Sequence, residues 1–237
     1  VPVSFVNRTS EARSTSATTI SPSAITVATG DYLIAYVSTR ATGNQLPTHT
    51  ISSTGGSVTW TSLGFFASPA VTALGTGITT TIFSGSVVTG GSVTITATFS
   101  AASNGRVILA SAFRGVVAPP TTINTTGTSS TSPVGPGAWT TQSGDVGDAI
   151  LLNVSADLQG STGNVYSTST VGGTWSTGFN VGIGTNPINI ATQHKILTAG
   201  GTQSAFYTNS AAATKYWTSG TVLLLGSRKF AGWGIPL

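Results

Sequence analysis

A stretch at positions 30–38, Gly-Asp-Tyr-Leu-Ile-Ala-Tyr-Val-Ser, returns in altered form at 147–155 as Gly-Asp-Ala-Ile-Leu-Leu-Asn-Val-Ser. Each copy opens on a turn pair and runs into residues that favour strands. Aligning Asp31 with Asp148 sets Leu33, Ala35 and Val37 opposite Ile150, Leu152 and Val154. These positions alternate, so they share one face of a strand. The other face varies more, with Tyr36 answering to Asn153 and Ser38 to Ser155. A constant face and a permissive one are what a core side and a second, less demanding side leave behind.

The echo extends along the chain in the same order. Thr59-Trp60-Thr61 is answered by Thr174-Trp175-Ser176, and Thr89-Gly90-Gly91 by Ala199-Gly200-Gly201. The runs 95–102 and 106–115 are answered by 204–212 and 216–226. The offset falls from 117 at the Asp pair to 115 at the Trp pair and 110 at the Gly pair, as slightly shorter loops in the second copy would produce. The pattern predicts an internal duplication of about five strands. Strands are expected near 1–6, 25–27, 30–38, 58–66, 78–88, 93–99 and 106–117, with Gly90-Gly91 as a hairpin turn. Residues 7–24 read as a polar loop or arm, and 40–57 as a loop. No segment sustains the 3.6-residue apolar period of a helix.

The expected fold is all-β, an antiparallel, jelly-roll-like β-sandwich built from the duplicated strand set. It would span 1–227, with half one at about 25–117, a connector at 118–146 and half two at 147–227. The connector is rich in Pro, Ser, Thr and Gly; it contains a strand around 138–140 or crosses the face of the domain. The halves form two separate small sandwiches or interleave into one; apolar residues on the second face of the Gly-Asp strands favour one.

Composition narrows the function classes. Cys is absent, which removes disulfides, thiolate metal sites and cysteine nucleophiles. Only 6% of residues are charged, against about 25% in an ordinary domain, while Thr numbers 43 and Ser 31. With 39% hydrophobic residues this is a folded chain with a hydroxyl-rich surface rather than a disordered one. The net charge of +4 comes from scattered cations, and only Arg228-Lys229 are adjacent. That speaks against nucleic acid, which calls for clustered cations. No run approaches a membrane span, and residues 1–20 lack a signal-peptide pattern. The chain opens on Val rather than Met, as a trimmed chain or an internal fragment would.

Chemistry is sparse. The acids are Glu11, Asp31, Asp145, Asp148 and Asp157. Asp31 and Asp148 follow Gly at strand starts, where a short carboxylate accepts backbone N–H groups in a turn. A glycosidase pair would then need Glu11 beside Asp145 or Asp157. His49 and His194 have no further ligands spaced to make a metal site. There is no nucleophile elbow and no phosphate-cradling loop. No catalytic, metal or cofactor-binding residue is therefore assigned. Trp60 and Trp175 hold equivalent places and read as core. Trp139 and Tyr166 are the candidate glycan contacts, with Tyr32 or Tyr36 behind them, because such rings stack on sugars while keeping a polar edge wet.

The pattern Gly30-Asp31-x-Leu33-Ile34-Ala35-x-Val37-Ser38, Trp60-x-x-Leu63 and Arg106-Val-Ile-Leu-Ala-Ser-Ala-Phe-Arg114-Gly115-Val116 resembles a β-sandwich module of tailed-bacteriophage virion proteins of the minor tail type. The likeness covers most of 25–226, and the closing segment 230–237 also resembles the end of such a tail protein. In place of the family's Pro-x-Gly-Trp the chain has Gly56-Ser57-Val58-Thr59-Trp60. The resemblance implies a non-enzymatic virion component assembled in the bacterial cytoplasm. Its partners would be other virion proteins, further copies of itself as a homo-oligomer and, through its loops, a host surface glycan. A head-decoration protein and a carbohydrate-binding or adhesin module remain as alternatives. In the last segment, 228–237, Arg228-Lys229 leads into Phe230, Trp233, Ile235 and Leu237, spaced by Gly and Pro. It folds back over its own sandwich or docks on a neighbouring subunit, where aromatic anchors contribute most. These four are the candidate interface residues.

Overall fold

A computed structural model describes residues 2–42, 46–68, 76–129, 138–141, 149–157, 165–168, 173–183, 188–208 and 215–226. Among them there is no helix. The first half supplies β1 (Ser4–Arg13), β2 (Ala17–Ile20), β3 (Ile25–Val27), β4 (Tyr32–Thr42), β5 (His49–Thr54), β6 (Ser57–Ala67), β7 (Thr76–Thr89), β8 (Gly91–Ser103) and β9 (Arg106–Arg114). The second half supplies β10 (Thr121–Ser129), β11 (Ala138–Thr141), β12 (Ala149–Asp157), β13 (Val165–Thr168), β14 (Phe179–Ile183), β15 (Ile188–Ile196), β16 (Gly201–Thr208) and β17 (Lys215–Leu225). Every strand pairing is antiparallel.

The strand order repeats. The five-stranded sheet β1-β9-β4-β7-β6 has its counterpart in β10-β17-β12-β15-β14. The smaller sheet, in which β2, β3 and β5 all pair with β8, has its counterpart in β11-β16-β13. The echoes at 30–38 and 147–155 fall on β4 and β12, and those at 106–115 and 216–226 on β9 and β17, strands that hold the same place. Among the described residues no sheet draws strands from both halves.

Two apolar clusters show how the sheets stack. Leu33, Ala35 and Val37 of β4, with Ile108, Ala110 and Ala112 of β9, pack against Val93, Ile95, Ala97 and Phe99 of β8. The opposite face of the same sheet, with Ile34, Tyr36, Ile82, Leu109 and Phe113, packs against Ile188, Ile190, Val222 and Leu224 of the second half. The Gly-Asp strand is therefore buried on both sides; Leu33 to Val37 are all at 0% exposure. Its second face is covered by the facing five-stranded sheet. In that contact β1 lies against β14 and β6 against β10, while β9 meets β15 and β7 meets β17. First-half strands thus meet the counterparts of one another, the arrangement of a self-complementary twofold pair inside one chain.

The structure corrects five sequence expectations. Residues 7–24 carry β1 and β2 rather than an open arm. An edge strand has no need of an apolar stripe, and here polar side chains tie β1 down, with Asn7 Nδ2 donating to Thr26 O at 2.9 Å and Thr9 Oγ1 to Ser23 O at 2.7 Å. The polar stretch 40–57 carries β5, and the connector carries β10 besides the expected strand at 138–141. Threonine-rich edges of this kind form strands without the alternation that reveals a core strand.

The remaining two corrections concern turns and register. Gly90-Gly91 is not a hairpin: β7 and β8 belong to different sheets, and the pair carries the chain across. A Cβ on Gly90 would lie 2.7 Å from Val27 O, and Gly91 has φ +152°. The Gly-Asp echo is also one residue out of frame. Leu33 pairs with Gly85 and Ala112, and its structural counterpart is Leu151, which pairs with Lys195 and Leu223. A one-residue slip exchanges the two faces of a strand, so the backbone of Ile150 stands beside Leu224 and that of Leu152 beside Val222, residues that pack against the first half.

Candidate functional site

The most tempting acid is structural, and it has a partner that spacing does not reveal. Asp31, 1% exposed, accepts the Ala28 N–H at 2.8 Å, closing the turn before β4. It also accepts Arg114 Nε at 2.8 Å and Nη2 at 2.9 Å. This two-pronged pair ties the start of β4 to the end of β9. The hydrogen bond to Asp31, then its charge, raises the Arg114 pKa. Asp148 lies outside the described residues.

Both histidines are satisfied by packing rather than poised for metal. His49 Nε2 lies 3.2 Å from Thr79 Oγ1, which itself donates to Pro47 O at 3.1 Å, so Nε2 is the protonated nitrogen. Nδ1 then accepts from Thr81 Oγ1 at 2.9 Å. Burial lowers the His49 pKa to about 3. His194 stacks on Phe5 across the two halves, centroids 4.8 Å apart, and burial followed by the charge of Arg8 lowers its pKa to about 4. Among the described residues no group of three or more His, Cys, Asp or Glu could hold a metal.

A cleft of about 310 Å³ opens between β1 and β2, lined by Glu11, Arg13, Thr15, Thr19, Ser21 and Arg106, with Ala17 and Ile20. Its polarity is largely committed internally. Arg13 pairs with Glu11, and Arg106, 2% exposed, donates to the carbonyls of Ser103, Thr15 and Thr19. Burial pulls the Arg106 pKa down, with Glu11 opposing and Arg13 adding to the effect. Glu11 therefore stands with cations; Asp145 and the side chain of Asp157 lie outside the described residues.

The interior of the second half is chemically unlike its counterpart. Across the first five-stranded sheet one row reads Ala110, Ala35, Phe83; the equivalent row reads Thr221, Asn153, Gln193. In the next row, Ala112, Leu33, Gly85 and Trp60 become Leu223, Leu151, Lys195 and Trp175. Gly85 is glycine because the Trp60 ring sits over it; a Cβ there would come within 2.7 Å of the ring. Lys195 instead stands beside Trp175, its Nζ 5.4 Å from the ring centroid and donating to Gln203 Oε1 at 3.0 Å. Gln193, Lys195, Gln203, Ser219 and Thr221 are all at 2% exposure or less, and burial lowers the Lys195 pKa.

Of the aromatic candidates, Tyr36 is removed by full burial between the halves. Trp60 packs partly buried against the first-half core, its Nε1 donating to Ser53 Oγ at 3.3 Å, and Trp175 is buried, as expected of core residues. The backbone of Trp139 pairs with Gln203 and that of Tyr166 with Tyr207, while their side chains lie outside the described residues. Phe230, Trp233, Ile235 and Leu237 lie outside them too. Comparison with protein-family models, with curated proteins and with solved structures finds no match. No helix among the described residues is long and apolar enough to cross a membrane.

Proposed function

We propose that this chain is a non-enzymatic structural protein of a bacteriophage particle, associated with the tail in the manner of a minor tail protein. The supporting observation is the strand order. With β2 and β3 counted as one interrupted strand, the first half places its first, eighth, third and sixth strands in one sheet and its second, seventh and fourth in the other. That is the order of a jelly-roll sandwich with its fifth strand moved beside the sixth, and the second half repeats it. Jelly rolls recur in viral shells and in lectins. The likeness of 25–226 to virion modules favours the first.

In this reading the chain assembles through subunit contacts made by Phe230, Trp233, Ile235 and Leu237, and presents polar loops outward. It is made in the bacterial cytoplasm and resides in the particle as a homo-oligomer beside other virion proteins. A position on the head, as a decoration protein, is the variant within the class. A carbohydrate-binding or adhesin module is the alternative, favoured by the hydroxyl-lined cleft beside Glu11 and by the lectin use of the same strand order.

Gold-labelled antibody against the chain, applied to purified particles, tests the location: tail labelling is expected, and label confined to the head selects decoration. A protein found only secreted and monomeric overturns the virion reading. Deleting 228–237 should abolish oligomer formation in light scattering; unchanged mass sinks the docking tail. Saturable glycan-array binding lost on Trp139→Ala or Tyr166→Ala selects the adhesin.

A further inference from the structure

We propose that His194 is an acid-released latch between the two halves. Protonating its ring opens their contact along the β1–β14 margin, while each half keeps its own sheets.

The first observation is where the ring sits. His194 of β15 stacks on Phe5 of β1, with centroids 4.8 Å and planes 14° apart, and meets Phe113 of β9 edge to face at 6.4 Å. The Arg8 guanidinium lies 4.9 Å from the same Phe5 ring and 4.7 Å from that of Phe179 in β14. Phe5, Arg8 and Phe113 of the first half thus interleave with Phe179 and His194 of the second.

The second is charge. Arg8 is the cation that faces His194 from β1, and Glu11, farther along that strand, pairs with Arg13. On β9, Arg114 pairs with Asp31, and β4 brings the phenols Tyr32 and Tyr36, a group uncharged in acid. Residues 179–183 of β14 include nothing titratable, and Lys195 lies on the opposite face of β15. From β12 the backbone of Leu152 pairs with His194, while the acid of that strand, Asp157, pairs with Asn189 five positions along. An imidazolium would therefore be a second cation beside Arg8, set against rings rather than water. Phe5 offers it little, because that ring already meets Arg8. Burial, then Arg8, lowers the His194 pKa to about 4, so the closed contact holds the neutral ring.

The third is that this margin parts without breaking a ladder, since among the described residues no sheet draws strands from both halves. The hydrogen bonds that cross the boundary include Val117 N–H to Leu225 O at 2.9 Å, Thr122 Oγ1 to Leu63 O at 3.1 Å and the Thr80–Thr218 hydroxyl pair. These lie away from β1 and β14. A group whose folded pKa lies below its ordinary value holds the closed state above that ordinary value, 6.5, and loses its hold as pH falls toward 4.

The test uses the full chain, which has no Cys of its own, so Thr192→Cys is a single reporter. Thr192 is 1% exposed and lies two residues from His194 on the same face of β15. Its labelling by 4,4′-dithiodipyridine, which reacts with thiols in acid, should rise roughly a hundredfold from pH 6.5 to 4, relative to an unstructured thiol peptide. Adding His194→Phe keeps an aromatic stack without the titration, and should flatten the rise. Ala110→Cys, buried inside the first half, should stay protected over the same range. A rate that does not rise, or that rises equally with His194→Phe, overturns the latch. Labelling of Ala110→Cys in step with Thr192→Cys does so too, because the whole chain is then unfolding. The unmodified protein gives an independent check by proton NMR, with only two histidines to resolve. The His194 ring protons, shifted upfield by Phe5, should lose that shift as the ring titrates; a ring that titrates and keeps it also overturns the proposal.

Discussion

Thr80 Oγ1 and Thr218 Oγ1 lie 2.7 Å apart across the boundary between the halves, with Ser38 Oγ 2.8 Å from the same Thr80 hydroxyl. All three residues are buried, so the chain of hydroxyls is a polar seam inside an otherwise apolar contact.

Thr80→Val keeps the shape but strands the hydroxyls of Ser38 and Thr218. It should cost about 1–3 kcal/mol, measured by urea unfolding. Adding Thr218→Val should recover part of this, because removing both partners of a buried hydrogen bond costs less than removing one. A double variant less stable than the sum of the singles would contradict the seam.

Asp31→Ala removes the acceptor that closes the turn before β4 and leaves the Ala28 N–H without its partner. The lost turn bond alone should cost about 1–3 kcal/mol. Arg114→Ala leaves that bond in place, but strands the buried carboxylate. Both variants should lower the unfolding midpoint, and Asp31→Asn, which can still accept from Ala28, should lower it less than Asp31→Ala.

Stability should fall on acidification through the histidines. Burial lowers the folded His49 pKa to about 3, against an ordinary value of 6.5. The unfolded chain therefore takes up a proton that the folded chain refuses. Its full contribution is present above about pH 6.5 and is lost as pH falls toward 3, a total of roughly 5 kcal/mol. His194, with a folded pKa of about 4, adds to the same slope between 6.5 and 4. Urea unfolding at a series of pH values should show this slope, and His49→Leu should remove the His49 part. A flat profile from pH 7 to 4 would contradict the assignment.

Gly55 should tolerate no side chain. Its φ is +79°, and a Cβ would lie 2.2 Å from Ser92 O, a backbone atom that cannot swing away. Gly55→Ala should cost at least about 1–3 kcal/mol in denaturant midpoint. Gly30→Ala, with φ +86° but open space around it, should cost less.

The core strands were legible because their alternation is strong: Val93, Ile95, Ala97 and Phe99 are buried as the sequence indicates. So were the order of the echoes and the turn role of Asp31. The edge strands were not, because β1, β5 and β10 are held by backbone pairing and polar side chains that leave no periodic trace. The Arg114 partner of Asp31 lies 83 residues away, beyond any local pattern. The frame of the Gly-Asp echo misled for a different reason. Both faces of β4 are apolar, so residue type alone could not distinguish the face that meets β8 from the face that meets the other half. The polar row at Gln193 and Lys195 stood out only once Gly85 and Lys195 were seen to hold the same place.

The stacking of the two five-stranded sheets also fixes what the molecule can offer to neighbours. Each half covers the other's broad face, which leaves the smaller sheets turned away from one another on opposite sides. Four layers at about 10 Å spacing set them roughly 30 Å apart. The distance between those two sides is set by the packed core rather than by a linker. The molecule would hold whatever touches its two sides at a fixed distance, back to back.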